Sequence, residues 1–336
     1  MIKYLGSKRR LIDNIVDEVN AHHRGGVVVD LFSGTSRVGY ALKASGKFVI
    51  ANDHNDYAHT IATCYVQASR GFQRVAENLI SELNGVKGKP GFITYNYCEE
   101  ARFFQPFNGE KIDAIRSEID RLDLDPTLRA IALTSLVEAA DRVDSTVGLQ
   151  MAYLKQWSKR SYNELQLRVP ELLDGHGLAT KFEADELVGS FGDIDVLYMD
   201  PPYNQHSYLS NYHIWETIIR GDEPEVYGVA RKRIDCRERK SGFNSKRKCL
   251  DSLRKVVENN TWRTCILSYS NEGHLTFEDL IGVLRPLGEV SVKEIDLKRH
   301  ICSKIGVYSP EGILVGERGK TTNTEYLITC KSNVSE

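Results

Sequence analysis

The chain has 336 residues, of which 41% are hydrophobic and 27% charged, and this is the composition of an ordinary globular protein. Its net charge is −2, so any surface for nucleic acid must be a local basic patch. The seven cysteines are scattered and none has C-x-x-C spacing, so we predict no metal site. An odd cysteine count and the lack of a signal-peptide or membrane-span pattern favour a cytoplasmic protein without membrane attachment.

The first predicted elements alternate between helix and strand. An apolar stripe in residues 11–20 predicts a helix, and the β-branched run 27–32 predicts a buried parallel strand that enters a tight turn. A second helix is predicted at 36–45 and a second strand at 48–53. This order with short turns is typical of an α/β fold, a doubly wound sheet with helices on both faces.

The alternation stops between about residues 81 and 177. Helices are predicted at 111–122 and 126–142, and Pro126 suits the first position of the second helix. We expect a mostly helical inserted domain at 81–177, while residues 1–80 and 178–336 form the α/β domain.

Buried strands resume at 194–199, which run directly into the tetrapeptide Asp200-Pro201-Pro202-Tyr203. Another strand is predicted at 264–269. The candidate strands 289–298 and 324–331 have no helical pattern between them. They therefore suit an antiparallel hairpin at a sheet edge.

The turn after the first strand lies where open α/β sheets bind ligands. Its glycines, Gly34 and Gly39, do not form the G-x-G-x-x-G of dinucleotide sites, and Tyr40-Ala41 replaces the Lys-Ser/Thr of a phosphate loop. Asp53 ends the second strand, where a carboxylate either binds ribose hydroxyls or caps a helix. A nucleoside cofactor without pyrophosphate needs no phosphate cradle, so we predict S-adenosylmethionine rather than NAD.

The tetrapeptide Asp200-Pro201-Pro202-Tyr203 has a specific chemical use. Two prolines fix the backbone and remove two N–H donors, which leaves a carbonyl group beside the Asp200 carboxylate. These two acceptors match the two donors of an exocyclic amino group, whose lone pair could then attack a methyl sulfonium. Tyr203 offers a ring for an extruded base, and such stacking contributes about 1–3 kcal/mol. A Pro-Pro turn with Asp200 as a cap is the structural alternative.

The order of these motifs resembles the D12 class of N6-adenine-specific DNA methyltransferases, the Dam-like group. Residues 3–9 are similar to the family's N-terminal cofactor motif, 30–35 to its glycine turn and 267–271 to the strand and loop after the catalytic motif. Ala184-Asp185 stands where an acid near the cofactor's adenine is expected. Ser36-Arg37 departs from the family pattern, in which a second glycine is common.

The resemblance implies a Rossmann-like class I methyltransferase sheet, with 1–80 and 178–336 as the S-adenosylmethionine-binding catalytic domain and 81–177 as the target-recognition domain. It also implies a set of cofactor-contacting residues. These are Tyr4, Lys8, Asp30, Phe32, Gly34, Asp53, Asp185 and Asp200.

A basic segment follows the tetrapeptide by about 30 residues. Between residues 231 and 248, nine basic and two acidic side chains give a local charge of +7. Phosphate contacts from such a segment would position a duplex, although a solvated loop is the alternative. The candidate DNA contacts are Arg231, Lys232, Arg233, Arg237, Arg239, Lys240, Lys246, Arg247 and Lys248.

Three further clusters have less definite roles. Tyr208, Tyr212 and Trp215 have helical spacing, which favours core packing over a place in the base pocket. Residues 141–145 and 157–160 are candidate base-recognition elements within the insertion.

Together, these patterns predict a site-specific DNA methyltransferase that acts on N6 of a flipped-out adenine in double-stranded DNA. We expect a monomer on DNA, working with a cognate restriction endonuclease in a restriction–modification system or alone. The alternatives are a cytosine-N4 or RNA amino-methyltransferase and a catalytically silent nucleic-acid-binding subunit. The target sequence depends on a few base-edge contacts that one sequence does not reveal.

Overall fold

The computed structural model describes residues 1–186, 194–259, 261–298 and 322–333. Its strands, numbered in chain order, are β1 (Val27–Asp30), β2 (Val49–Asn52), β3 (Gly177–Thr180), β4 (Ile194–Met199), β5 (Val226–Tyr227), β6 (Lys232–Arg233), β7 (Trp262–Ser270), β8 (Gly288–Lys298) and β9 (Thr322–Ser332).

Seven of these strands form one sheet in the order β3-β2-β1-β4-β7-β9-β8. The first five in that order are parallel, while β9 lies antiparallel between β7 and β8. The chain leaves β1 toward β2 on one side and later returns through β4 on the other side. The strand order therefore reverses beside β1, and the carboxyl ends of these strands are the expected ligand-binding edge.

The helices, also in chain order, are α1 (Ile12–His22), α2 (Arg37–Ala44), α3 (Asp56–Ala62), α4 (Gln73–Gly85), α5 (Phe92–Thr94), α6 (Pro106–Arg121), α7 (Pro126–Val143), α8 (Tyr208–Asn211), α9 (His213–Arg220), α10 (Cys249–Asn259) and α11 (Phe277–Leu284). The apolar stripe of α1 packs on one face of the sheet, and α10 and α11 pack on the other. Helix α7 begins at Pro126, and the Asp125 carboxylate caps it by accepting from the Thr127 N–H at 2.8 Å. Within the described ranges, no helix has the length and apolar character that a bilayer span needs.

The sequence predictions of the parallel strands, the early helices and the terminal antiparallel hairpin are confirmed, with boundaries shifted by a few residues. The edge strand β3 was not predicted, because a four-residue segment that begins with Gly177 has little apolar character. Glycine is needed at this position: a Cβ atom would lie 2.7 Å from the Val66 carbonyl oxygen and 2.9 Å from that of Val49.

The helices of the predicted insertion share their core with helices outside it. Tyr57 of α3 and Trp215 of α9 are buried in the same apolar cluster as Phe103, Phe104 and Leu136. Helix α9 follows the tetrapeptide, so this cluster anchors the segment that leaves β4. The domain boundary at 81–177 stays a prediction.

Candidate active site

A cavity of about 280 Å³ lies at the carboxyl ends of β1, β2 and β4. Its wall contains all eight residues predicted to contact the cofactor: Tyr4, Lys8, Asp30, Phe32, Gly34, Asp53, Asp185 and Asp200. Of the other tetrapeptide residues, Pro202 lines the cavity, whereas Pro201 and Tyr203 do not. The fold therefore brings residues from distant parts of the chain to one site at the strand-order reversal.

The turn after β1 is built around left-handed backbone. Gly34 has a φ of +49°, and its N–H donates to Asp53 Oδ2 at 3.1 Å. Asp30 Oδ2 accepts from the N–H of Gly39 at 3.0 Å, which ties the end of β1 to α2. Ser36 has a φ of +57°, a conformation that glycine adopts at less cost. The sequence difference from the resembled family thus leaves a glycine-like backbone at Ser36.

The ends of the three strands beside this turn are joined by the side chain of Asn52. Its Oδ1 accepts from Thr180 Oγ1 at 2.9 Å and from the Phe182 N–H at 3.0 Å, and its Nδ2 donates to the Leu31 carbonyl at 3.3 Å. The neighbouring Asp53 carboxylate also accepts from the Asn55 N–H at 2.9 Å. Asn52 was not predicted, because a polar residue at a strand end has no distinctive spacing.

An aromatic stack forms another part of the wall. The Tyr4 ring stacks with Tyr208 and with Tyr212, at centroid distances of 5.1 and 4.6 Å, and its hydroxyl lies 2.9 Å from that of Tyr57. Burial holds the pKa of Tyr4 well above its ordinary value, so the ring stays a neutral phenol. Tyr212 and Trp215 are core residues, as their helical spacing indicated, whereas Tyr208 lines the cavity.

The end of the cavity beside the tetrapeptide holds one ammonium group between two carboxylates. Lys8 Nζ lies 2.8 Å from Asp200 Oδ1 and 2.6 Å from Glu325 Oε1. Burial alone would lower the pKa of Lys8, but the two carboxylates hold it well above its ordinary value. Burial raises the pKa of Asp200 to about 6, with Lys8 opposing this rise and Glu325 adding to it. Lys8 therefore stays charged near neutral pH.

Glu325 is a site residue that the sequence reasoning missed. It lies in β9, which follows more than a hundred residues after the tetrapeptide, and it is 4% exposed. The one available signal was the single carboxylate of β9, whose one other charged residue is Lys331, and its meaning depends on the sheet order.

The basic segment 231–248 is folded onto the protein rather than being a loose loop. It contains strand β6, and the Asn244 side-chain amide donates to the Asn204 carbonyl oxygen at 2.8 Å. Arg231 donates to Asn96 Oδ1 at 3.1 Å, and Lys232 is half-buried. The exposed basic side chains of the segment are Arg237, Lys240, Lys246, Arg247 and Lys248.

Two of the predicted DNA contacts form ion pairs with carboxylates of the protein itself. Arg233 is buried, and its guanidinium lies 2.7 Å from Asp222 Oδ1 and 3.1 Å from Asp235 Oδ1. Two carboxylates already occupy its donors, so the surroundings of Arg233 argue against phosphate binding, and its role as a DNA contact stays a prediction. Arg239 pairs with the buried Glu216 at 2.9 Å and lines the cavity.

The candidate recognition element 141–145 is also engaged within the fold. Lys3 Nζ lies 3.0 Å from Asp144 Oδ1, and Arg160 also binds that carboxylate. Asp141 accepts a hydrogen bond from the backbone N–H of Lys3 at 3.1 Å. The two acids thus tie the N-terminal segment to the end of α7.

Among the described side chains, no group of three or more His, Cys, Asp or Glu could hold a metal ion.

The sheet order and the cavity at its reversal define a Rossmann-like class I methyltransferase fold. The family model for the D12 class N6 adenine-specific DNA methyltransferase matches residues 4–268. The chain therefore belongs to the D12 class of DNA methyltransferases.

Named relatives agree with this membership. The chain is 32% identical over 321 residues to modification methylase StsI of Streptococcus sanguinis, and the matched region covers 89% of this chain and 49% of the relative. Type II methyltransferase M.FokI of Planomicrobium okeanokoites is 31% identical over 309 residues, with 85% and 47% covered. Type II methyltransferase M.NlaIII of Neisseria lactamica is 28% identical over 319 residues, with 90% and 93% covered. The chain spans about half the length of the first two relatives and nearly all of the third.

Proposed function

We propose that the chain transfers a methyl group from S-adenosylmethionine to N6 of adenine at a specific sequence in double-stranded DNA, within a restriction–modification system. One observation carries this proposal: the Asp200 carboxylate lies in the wall of the same cavity as the glycine turn and Asp53. The relatives' names, modification methylase and type II methyltransferase, support the biological setting.

The cavity suits a nucleoside cofactor without phosphate groups. Asp53 accepts three hydrogen bonds from the protein, and a carboxylate has acceptor capacity for a ribose hydroxyl beyond these. Ser33 Oγ is buried in the cavity wall and has no hydrogen-bond partner among the described residues, so it is available to a ligand. Tyr4, Gly34, Asp53 and Asp185 would hold S-adenosylmethionine, which supplies an electrophilic methyl group when bound.

The chemistry assigned to the protein is acceptance and orientation of an amino group. Asp200 and the Pro201 carbonyl would each accept one N–H of the substrate NH₂, which localises the nitrogen lone pair. No residue forms a covalent bond, since the amino nitrogen is itself the nucleophile. The Tyr203 ring, packed edge-on against Tyr269 at 6.3 Å, would stack on the extruded base.

The exposed part of the basic segment would bind the DNA backbone. The five exposed residues Arg237, Lys240, Lys246, Arg247 and Lys248 supply charge without reading bases, while Lys232 and Arg231 stand closer to the core. Base readout would come from the insertion, where the Arg102 guanidinium lies 4.9 Å from the centre of the Trp157 ring. We propose a monomer on DNA, in the cytoplasm, with a cognate endonuclease acting on the same sequence.

The test is transfer of a tritium-labelled methyl group to DNA, followed by digestion and identification of the methylated nucleoside. We expect N6-methyladenine from the wild-type protein and none from Asp200→Ala. Asp13→Ala, an exposed acid on α1, is the matched control and should retain full activity. Retained transfer by Asp200→Ala contradicts the mechanism, and N4-methylcytosine or methylated RNA contradicts the substrate. Failure to bind S-adenosylmethionine in calorimetry would indicate a catalytically silent subunit.

A further inference from the structure

Glu325 is a buried carboxylate that the proposed chemistry does not use. Its Oε1 accepts from Lys8 Nζ at 2.6 Å and from Ser268 Oγ at 2.8 Å. The Ser268 contact lies within the sheet, because β9 pairs with β7 and places Glu325 opposite Ser270, whereas Lys8 reaches Glu325 from the N-terminal segment. A buried carboxylate with two strong donors is fixed in position. Glu325 therefore fixes Lys8 in turn.

Lys8 contacts two carboxylates, and its single positive charge can balance only one of them. Its ammonium lies between Asp200, at the end of the catalytic strand, and Glu325 on β9, at distances that differ by only 0.2 Å (2.8 and 2.6 Å). With all three groups ionised, the cluster carries a net charge of −1. A lone Lys8–Asp200 pair would carry none.

The other ionisable groups around this cluster come from separate elements. Asp30 lies at the end of β1, and burial together with the charges of Asp200 and Asp53 raises its pKa to about 7, so it is only partly ionised near neutral pH. The phenols of Tyr198, Tyr203 and Tyr208 also interact with Asp200, and burial raises the pKa of each, so they stay neutral. The balance of charge at Asp200 is therefore set mainly by Lys8 and by what else Lys8 binds.

We propose that Glu325 is a positioning residue for methyl transfer, which holds Lys8 and shares its charge so that Asp200 remains a strong acceptor for the substrate amino group. The inference rests on the proposed function and names a residue outside the recognised motifs. Without Glu325, Lys8 would direct its whole charge to Asp200. The carboxylate would then hold protons and N–H donors more weakly, because a hydrogen-bond acceptor weakens as its basicity falls.

The test variant is Glu325→Gln, which keeps the shape of the side chain and removes its charge. We expect kcat at its plateau to fall about tenfold and the acidic limb of the kcat–pH profile to move down by about one pH unit. Lys8→Met should move that limb in the opposite direction, toward higher pH. The KM for DNA and the affinity for S-adenosylmethionine should change by roughly twofold or less in Glu325→Gln, since Glu325 touches neither ligand.

The matched control is Glu289→Gln, which removes an exposed carboxylate from the neighbouring strand β8 and should leave the profile unchanged. A fall in kcat without displacement of the acidic limb would assign Glu325 a merely structural role and overturn the proposal. If Glu325→Gln does not fold, a double variant that combines Lys8→Met with Glu325→Gln removes both members of the ion pair together. Its kcat should then match that of Lys8→Met within roughly twofold, because Glu325 acts through Lys8. A larger additional loss would contradict the proposal.

A pH titration of the Asp200 carboxyl, monitored by carbon-13 NMR, tests this proposal independently of whether the protein methylates DNA. We expect its midpoint to be lower in Glu325→Gln than in the wild type, and an unchanged midpoint overturns the proposal whatever the activity. The wild-type protein could fail to methylate DNA while the Asp200 midpoint is still lower in Glu325→Gln than in the wild type. That result would contradict the proposed function but support the sharing of the Lys8 charge.

Discussion

The side-chain amide of Asn244 donates to the backbone carbonyl oxygens of Asn204 at 2.8 Å and His206 at 3.2 Å. Asn204 directly follows the tetrapeptide, and Asn244 belongs to the basic segment. The adjacent Phe243 is buried and packs edge-on against Phe32 of the cavity wall at 5.3 Å. The part of the chain that carries the candidate phosphate contacts is thus hydrogen-bonded to the loop after the tetrapeptide and packed against the wall of the cavity.

Asn244→Ala removes both hydrogen bonds to the loop that follows the tetrapeptide. We expect kcat to fall about tenfold, which corresponds to about 1.4 kcal/mol of lost transition-state stabilisation, because the loop that positions the base is less constrained. Steady-state methyl transfer on DNA measures this loss. Asn20→Ala, at an exposed position on α1, is the control and should leave kcat unchanged. Equal kcat values for the two variants would mean that the bonds do not constrain the reacting geometry.

Gly34→Ala is expected to weaken S-adenosylmethionine binding by about tenfold or more. The φ of +49° strains any other residue by about 1–2 kcal/mol, and the new Cβ atom would lie 3.1 Å from the Tyr4 ring. Calorimetry with the cofactor measures the effect. Gly25→Ala carries the same kind of strain at φ +98°, but its Cβ would meet nothing within 4 Å. Equal cofactor affinities for the two variants would show that the contact with Tyr4 is unimportant.

The sequence predicted the parts of the site that lie at the ends of apolar strands. Asp53 ends and Asp200 follows an apolar run, so their positions at the carboxyl edge of a parallel sheet could be inferred from order alone. Asp30 lies within the predicted strand 27–32, so its place in the site came from the family resemblance. The N-terminal residues Tyr4 and Lys8 required the family resemblance, because nothing in a short basic segment indicates that it lines a cavity.

The remaining parts depend on pairings that the sequence does not encode locally. Glu325 reaches Lys8 only because β9 inserts between β7 and β8. Arg233 was counted with its basic neighbours, since composition reports charge but not the presence of Asp222 and Asp235 beside it. Asn52 is recognisable as a connector only when the positions of Thr180 and Leu31 are known.

The two kinds of basic residue in the segment 231–248 should respond differently to substitution. Replacement of Lys246, Arg247 and Lys248 by alanine should reduce the slope of log affinity for DNA against log salt by up to about three, with no change in thermal stability. Fluorescence anisotropy at several salt concentrations measures this slope. An unchanged slope would place the phosphate-binding surface elsewhere.

Arg233→Met should instead destabilise the fold. The substitution removes the buried one of two guanidinium groups that contact both Asp222 and Asp235, since Arg220 also lies 3.0 Å from Asp222 and 3.3 Å from Asp235. Loss of the buried hydrogen bonds to these carboxylates should cost roughly 1–3 kcal/mol of unfolding free energy. Urea denaturation measures the loss, with the triple alanine variant as the stable comparison. An Arg233→Met protein of wild-type stability and reduced salt slope would restore Arg233 to the DNA-binding set.

Asp200→Asn should abolish methyl transfer and stabilise the protein at neutral pH. Burial raises the pKa of Asp200 from 3.8 to about 6, so the fold disfavours the ionised carboxyl. The stability that the protonated carboxyl contributes is complete below the unfolded value, is lost as pH rises between the two values, and is absent above the folded one. Near pH 7, the asparagine variant should therefore exceed the wild type by roughly 1–3 kcal/mol in unfolding free energy.

Urea denaturation across the range from about pH 4 to about pH 7 tests this sign, since the difference should narrow as the wild-type carboxyl takes up its proton. Asp13→Asn, on the exposed face of α1, is the control and should show no such trend. A difference that stays constant across this range would mean that Asp200 titrates as it does in the unfolded chain. In that case the carboxylate would owe its acceptor strength to geometry alone and not to the buried cluster around Lys8.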